Sequence, residues 1–344
     1  TSNNNTLSVS DYQFQPDLLI FKNRDTANHW GWFDSVRGPN KWLRSSGTNS
    51  ESTTSGDGYG TGTMNSFDRN GFTLGNDVGA NVTNYPSGDG HVVYGFNAGG
   101  NKNTFNVDDV GYASAAAAGL DSGTVNPNKV SVGTKNGFSI IELTTPSSGT
   151  TYSFAHGLGA KPSFLIARQY ETTGSWYVWH QSLSANNSYV LLNSTNAQNS
   201  GSTVWASTDM TSTVISDTAS GHWGTSQKML YYAWTDIPGL QKFGSYVGNN
   251  NDDGPFVELG FRPSIILIFN LAGGNWYLYD HVRPGYNVTP NRLYPNLINA
   301  EDTGDTANTL DILSNGFKIR QDHAGINADG GTFIYMTWAE APSF

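Results

Sequence analysis

Three times in this chain a proline introduces an apolar run: Pro16-Asp17-Leu18-Leu19-Ile20-Phe21, Pro162-Ser163-Phe164-Leu165-Ile166-Ala167 and Pro263-Ser264-Ile265-Ile266-Leu267-Ile268. A tryptophan segment follows each proline at an offset of 14, 14 and 13 residues, beginning at Trp30, Trp176 and Trp276. An aromatic run closes each copy: Val92-Val93-Tyr94-Gly95-Phe96, Leu230-Tyr231-Tyr232-Ala233-Trp234 and Ile334-Tyr335-Met336-Thr337-Trp338. Self-similarity at a long period means one supersecondary unit repeated, so the fold must be solved three times over by related packing. Alternation in Trp276, Leu278 and Asp280 against Tyr277, Tyr279 and His281 has the period of two that a two-faced strand requires.

The expected class is all-β: three tandem antiparallel β-sandwich modules, lectin-like or jelly-roll-like. The expected boundaries are a first module over 1–100 with a shortened lead-in, a connecting segment over 101–134 that is rich in Ala, Ser and Gly, a second module over 135–238 and a third over 239–344. Asn70-Gly71-Phe72 and Asn315-Gly316-Phe317 read as hairpin turns running into strands, with positive φ expected at both turn residues. Residues 113–120 are the best helical candidate.

Composition narrows the function. Only 13% of the 344 residues are charged, against an average near 25%, while 40 Gly and 44 aromatic residues (10 Trp, 17 Tyr, 17 Phe) suit short strands joined by polar turns. With no Cys, thiolate metal sites, disulfides and thiol nucleophiles are excluded. The net charge of −10, without a Lys/Arg cluster, argues against nucleic acid. No apolar run approaches the ~20 residues of a membrane-spanning helix, and the polar start is no signal peptide. The first residue, Thr1, carries the expectation that a longer N-terminal region precedes it.

Several runs resemble a family of phage virion proteins, the C-terminal regions of tail-fibre and related structural proteins of marine tailed phages. The likeness is carried by Phe33-Asp34-Ser35-Val36-Arg37-Gly38, Ser66-Phe67-Asp68-Arg69-Asn70-Gly71-Phe72-Thr73-Leu74-Gly75, His156-Gly157-Leu158-Gly159, Lys242-Phe243-Gly244-Ser245-Tyr246-Val247-Gly248-Asn249, Asp253-Gly254-Pro255-Phe256-Val257, Gly260-Phe261-Arg262-Pro263 and Ile334-Tyr335-Met336-Thr337-Trp338-Ala339-Glu340-Ala341-Pro342. It implies a non-enzymatic component of the virion surface, outside the cell, that contacts a host-surface receptor or glycan and other virion proteins, as a homo-oligomer with a trimer favoured. The alternatives are a purely architectural role and a polysaccharide-degrading spike. The family brings no catalytic or binding residues.

Candidate chemistry is sparse. Asp34, Asp280, Glu142 and Glu258 lie near apolar strands and are the carboxylates a glycosidase pair would draw on, although Asp34 and Asp280 share a repeat position with His180, which favours a structural role. The seven His residues form no ligand pattern. Asp252, Asp253, Asp302 and Asp305 offer hard oxygen ligands for Ca²⁺, and no other cofactor is expected. A loose glycine loop spans 56–62. Trp42, Trp205 and Trp223 do not recur between copies, sit in polar stretches, and are the candidate platforms for sugar stacking.

Overall fold

The computed structural model describes residues 6–339 except 54–62, 76–82, 84–87, 200–203, 220–222, 285 and 304–308. The chain is all-β, with one short helix, Ala324–Asn327, among the described residues. The lead strands are Leu18–Asn23, Phe164–Gln169 and Pro263–Asn270; the second strands are Gly31–Asp34, Tyr177–His180 and Tyr277–Asp280; the closing strands are His91–Phe96, Lys228–Trp234 and Thr332–Ala339. In every copy the lead strand lies between the other two, antiparallel to both.

The register repeats residue for residue. Leu18 pairs with Asp34 and Phe96, Phe164 with His180 and Trp234, and Ile265 with Asp280 and Trp338. Each lead strand carries an unbroken apolar run, Leu18 to Phe21, Phe164 to Ala167 and Ile265 to Phe269, because both of its faces pack against other residues. Leu18 and Ile20, Phe164 and Ile166, and Leu267 and Phe269 enter one core common to all three copies. Their alternate neighbours face outward: Leu19 and Phe21 pack on Phe67 and Phe72, Leu165 and Ala167 join Phe154 and Ile215, and Ile266 and Ile268 meet Ile312 and Phe317.

Each outer cluster includes residues of a smaller antiparallel sheet: Leu7–Val9, Gly71–Leu74 and Ser66–Asp68; Thr151–Ala155 and Val214–Thr218; Phe256–Glu258, Gly316–Ile319 and Leu310–Leu313. The two hairpins expected from Asn-Gly are present, but Gly71 and Gly316 are the first strand residues, paired with Asp68 and Leu313. The loops are Arg69-Asn70 and Ser314-Asn315. The glycines are needed for close approach: a Cβ at Gly71 would lie 1.8 Å from the Val9 carbonyl oxygen, and one at Gly316 2.0 Å from that of Val257.

Two further expectations are corrected. Residues 113–120 form hydrogen-bonded turns and no helix, closed by Leu120 N–H to the Ala115 carbonyl. The stretch 101–134, expected as a connection, contributes Phe105–Val107, Val110–Tyr112 and Lys129–Gly133 to the sheet of the second copy, which reaches eight strands. One pair there, Phe105–Val107 with Lys129–Gly133, is parallel.

The copies close into a ring. The Trp30 indole N–H donates to the Tyr294 carbonyl (2.9 Å), Trp176 to that of Arg44 (2.7 Å) and Trp276 to that of Leu191 (2.9 Å), so each recurring Trp reaches the preceding copy and the first reaches the third. Backbone N–H groups run in the opposite sense: Glu51 to the Tyr170 carbonyl, Gln198 to Leu271 and Glu301 to Arg24. Phe96, Trp234 and Trp338, which hold the same register position, meet edge to face with centroids 5.2 to 6.0 Å apart.

Candidate functional site

The last residue of each second strand lies at a junction between copies. Asp34 Oδ2 accepts from the Tyr232 hydroxyl (2.8 Å) of the second copy and from Arg37 Nε (2.6 Å), while its Oδ1 accepts the Arg37 N–H. Arg37 also donates to Glu51 (3.1 Å) and to the Trp32 carbonyl. The third copy meets the first in the same way: Asp280 accepts from Tyr94 (2.7 Å) and Arg283 Nε (2.5 Å), and Arg283 lies 3.0 Å from Glu301. Burial, then the facing Asp, raises both tyrosines well above their ordinary range. Burial opposes ionisation of Asp280, but the Arg283 guanidinium outweighs it and holds the carboxyl below the usual range.

The remaining junction replaces all four groups. Register puts His180 at the Asp position, Leu183 at the Arg position, Gln198 at the Glu position and Met336 at the Tyr position. His180 lies near the Tyr335 carbonyl through Nε2 (3.3 Å) and accepts the Ser182 N–H through Nδ1, which defines a neutral ring. Burial pushes it down to about 3, against a smaller opposing effect of the carbonyl. An Asp without its Tyr and Arg would be an uncompensated buried charge, so the four positions change together.

Asp34 and Asp280, two of the four candidate carboxylates, are thereby occupied. Glu142 sits between Lys129 (3.4 Å) and Lys228 (3.8 Å), and Glu258 is exposed on a strand of the outer sheet. Asp217, which the sequence reading missed, is fully buried and pushed up to about 7 by desolvation, although Tyr231, Thr218, Trp223 and Tyr152 all donate to it. Its role is to anchor the outer core of the second copy: Tyr231 (2.6 Å) and Trp223 Nε1 (3.1 Å) are fixed on its two oxygens.

The stacking candidates lie inside. Trp42 is 2% exposed, Trp205 1% and Trp223 2%. Trp42 stacks on Phe33 beneath the Arg44 guanidinium, and Trp205 and Trp223 pack edge to face in one core. None presents a ring face to solvent. Of the calcium candidates, Asp253 pairs with Lys318 (2.7 Å) and Asp302 with Arg292 (2.7 Å), Asp252 is exposed, and Asp305 lies outside the described residues, as does the glycine loop 56–62. Among the described residues no group of three His, Asp or Glu is placed to hold a metal ion, and no helix is long and apolar enough to cross a membrane.

An exposed ring does occur, on the loop that follows Asp280. Tyr286 is 80% exposed and Val282 71%, beside a cavity of about 200 Å³ lined by Arg262, His281, Pro284, Asn287, Thr289 and Ile312 together with Tyr286. Residues on either side of Gly285, which lies outside the described residues, are tied down at several points. The Asn287 side chain donates to the Ile312 carbonyl and accepts its N–H (both 2.9 Å), Thr289 N–H bonds the Leu310 carbonyl (2.8 Å), and Asp280 Oδ1 accepts the N–H groups of Val282 and Arg283. Charge, an amphipathic ring and a polar hollow converge here on anchored backbone, the ingredients of a small-ligand site.

A family model described as a domain of unknown function (DUF7483) matches residues 1–342. No curated protein and no solved structure matches the chain.

Proposed function

The chain belongs to the DUF7483 domain family, and we propose that its members of this type are non-enzymatic virion structural proteins, tail-fibre or adhesion components of tailed phages that contact a host-surface receptor. In this reading the body is three tandem β-sandwich modules, each an inner sheet that contains the lead, second and closing strands, with its smaller outer sheet. The sequence runs that resemble marine phage tail-fibre proteins support the placement on the virion surface. The single observation that carries the adhesion role is the Tyr286 loop: an aromatic ring held out to solvent on anchored backbone, carried by a framework whose other large aromatics are mostly packed inside.

The buried carboxylates support a role without catalysis. Asp34 and Asp280 each serve an Arg and a Tyr across a junction, which leaves neither as a free acid or nucleophile facing a second carboxylate. The proposal includes no cofactor. Homotrimers, which the resemblance implies, would display the loop three times, and linked weak contacts gain avidity without any new bond.

Binding of the purified protein to intact host cells tests the reading. Saturable attachment, unchanged by a chelator, is the expected result. Failure of a correctly folded protein to attach to any candidate host overturns adhesion and favours a purely architectural role.

A further inference from the structure

The three inner sheets are not equally complete. The closing strands Lys228–Trp234 and Thr332–Ala339 each carry a further antiparallel strand on the side away from the lead strand, Phe138–Thr144 in the second copy and Gln241–Val247 in the third. In the first copy the sheet ends at His91–Phe96, and among the described residues no strand pairs with its outer side. Burial follows the same division. Met229, Leu230 and Tyr231, like Phe333, Ile334 and Tyr335, are buried, whereas their counterparts His91, Val92 and Val93 are partly exposed.

Register identifies the groups left open. The Phe96 carbonyl accepts the Asp17 N–H on the lead-strand side (2.8 Å), as the Gly90 carbonyl accepts that of Arg24 (2.9 Å). Main-chain groups alternate in direction along a strand, so those of Val93 and Gly95 point away from the lead strand. At the same phase in the covered copies, the Thr235 N–H bonds the Gly137 carbonyl (3.0 Å) and the Ala339 N–H that of Leu240 (2.7 Å). Exposed edges are blunted in many proteins by Lys or Pro; the run from His91 to Phe96 contains neither.

The covered copies also specify what fits. Opposite Trp234 and Trp338 the covering strands begin at Phe138 and Gln241; their third residues, Ile140 and Phe243, enter the common core, and their sixth, Leu143 and Tyr246, enter the outer cores. The first copy has no residues to spare for such a strand. Leu7–Val9 is its outer-sheet strand, and residues 1–6 are only as many as the links 145–150 and 248–255 that join covering strand to outer-sheet strand elsewhere. A second copy of the chain does not fit either. Antiparallel pairing of His91–Phe96 with itself puts the sixth position on Gly95, Asn97 or Gly99 when Val93, Tyr94 or Gly95 lies on the twofold axis, and the third position on Gly90 when Val92 does.

We propose that the open edge of His91–Phe96 receives an extended segment of another polypeptide, which adds as an antiparallel strand. Its first residue lies opposite Phe96, an apolar third residue opposite Tyr94 and an apolar sixth residue opposite His91. Main-chain bonds to Val93 and Gly95 supply the affinity and the two apolar side chains the specificity. That the donor is a neighbouring virion protein rests on the reading above; the strand pairing does not.

The test follows amide hydrogen exchange of the ¹⁵N-labelled full chain with a synthetic peptide of residues 137–145, the covering strand of the second copy, as the probe. In the protein alone, the Val93 and Gly95 amides should exchange faster than those of Tyr231 and Ala233. The peptide should slow both by about tenfold or more, with little change at Tyr94, whose amide faces the lead strand. N-methylation of the peptide at Ser139 and Ile141, whose amides face the partner strand, should abolish the protection, and N-methylation at Ile140 and Glu142 should leave it. The peptide variants Ile140→Asp and Leu143→Asp should each bind about tenfold more weakly or worse. Val93 and Gly95 amides as protected in the free protein as Tyr231 and Ala233 would mean that this chain covers its own edge; protection that grows with protein concentration alone would mean that a second copy does. Either result, or a peptide that protects neither amide, overturns the proposal. Peptide protection and host-cell attachment are separate readouts, so either can fail alone.

Discussion

Replacing Arg37 by Leu tests whether the junctions work as units. The guanidinium is fully buried and serves the Asp34 carboxylate, Glu51 and the Trp32 carbonyl. Its loss leaves Asp34 ionised in the interior with only Tyr232 and one backbone N–H, and breaking a buried pair in this way costs about 3–5 kcal/mol. The junction between the second and third copies shows which companions make Leu acceptable. Asp34→His, Glu51→Gln and Tyr232→Met, added to Arg37→Leu, reproduce the set His180, Leu183, Gln198 and Met336. A His at position 34 would face the Tyr231 carbonyl as His180 faces that of Tyr335. Full replacement of a buried ionic cluster by a matched neutral set is often neutral, so the quadruple variant should lie within about 1–2 kcal/mol of wild type. Urea unfolding gives the stabilities, and hydrogen exchange of the residue 51 amide, which bonds the Tyr170 carbonyl across the same junction, gives the local opening. If the quadruple variant is no more stable than Arg37→Leu alone, the four positions are independent and the argument fails.

Four further outcomes are expected. Burial holds His156 down to about 4 and His180 to about 3; their contribution to stability is complete above the ordinary value of 6.5 and is lost as pH falls through those folded values. His180→Gln should flatten the acid side of a plot of melting temperature against pH, and an unaltered profile would count against the assignment. Asp217, raised to about 7, acts in the opposite direction: its contribution is complete below about 3.8 and is lost as pH rises through 7, so Asp217→Asn should reduce the decline over that interval, measured in the same way. Gly71→Ala and Gly316→Ala should each destabilise by about 1–3 kcal/mol, because a methyl group would overlap the Val9 or Val257 carbonyl; denaturant midpoints equal to wild type would refute close approach as the reason for glycine. Trp176→Phe should cost at least about 1 kcal/mol by leaving the Arg44 carbonyl without its indole donor, again read from denaturant midpoints.

The lead, second and closing strands were legible from the sequence because both faces of each lead strand pack against other residues, which makes an unbroken apolar run after each proline. The shared position of Asp34, His180 and Asp280 was legible too. Their partners were not: Tyr232 is 198 residues from Asp34 and Tyr94 is 186 from Asp280, and only the strand register shows that Met336 takes the place of a Tyr where His180 takes the place of an Asp. Trp42, Trp205 and Trp223 show that a tryptophan that does not recur between copies is not thereby exposed. The inner faces of the three copies must match one another around a common core, but each outer face packs only on its own sheet, so Trp42 on Phe33 and Trp223 on Asp217 are private solutions. Tyr286 left one signal in the sequence, the longer interval between Arg283 and Leu293, which becomes visible only when the copies are aligned by register.

An open row of repeats has two end units with one neighbour each, and unravels from them. Here Trp30 bonds Tyr294 and Arg24 is paired with Glu301, so the first copy clasps the third and no copy is terminal. A protease that nicks the turn at 236–239 severs the chain between the second and third copies, yet each fragment remains gripped by the other along two separate seams. A pulling force faces the same arithmetic: to extract one copy it must rupture both of that copy's junctions together rather than peel them in turn. Mechanical endurance then follows from the closed path of the chain, without a covalent cross-link.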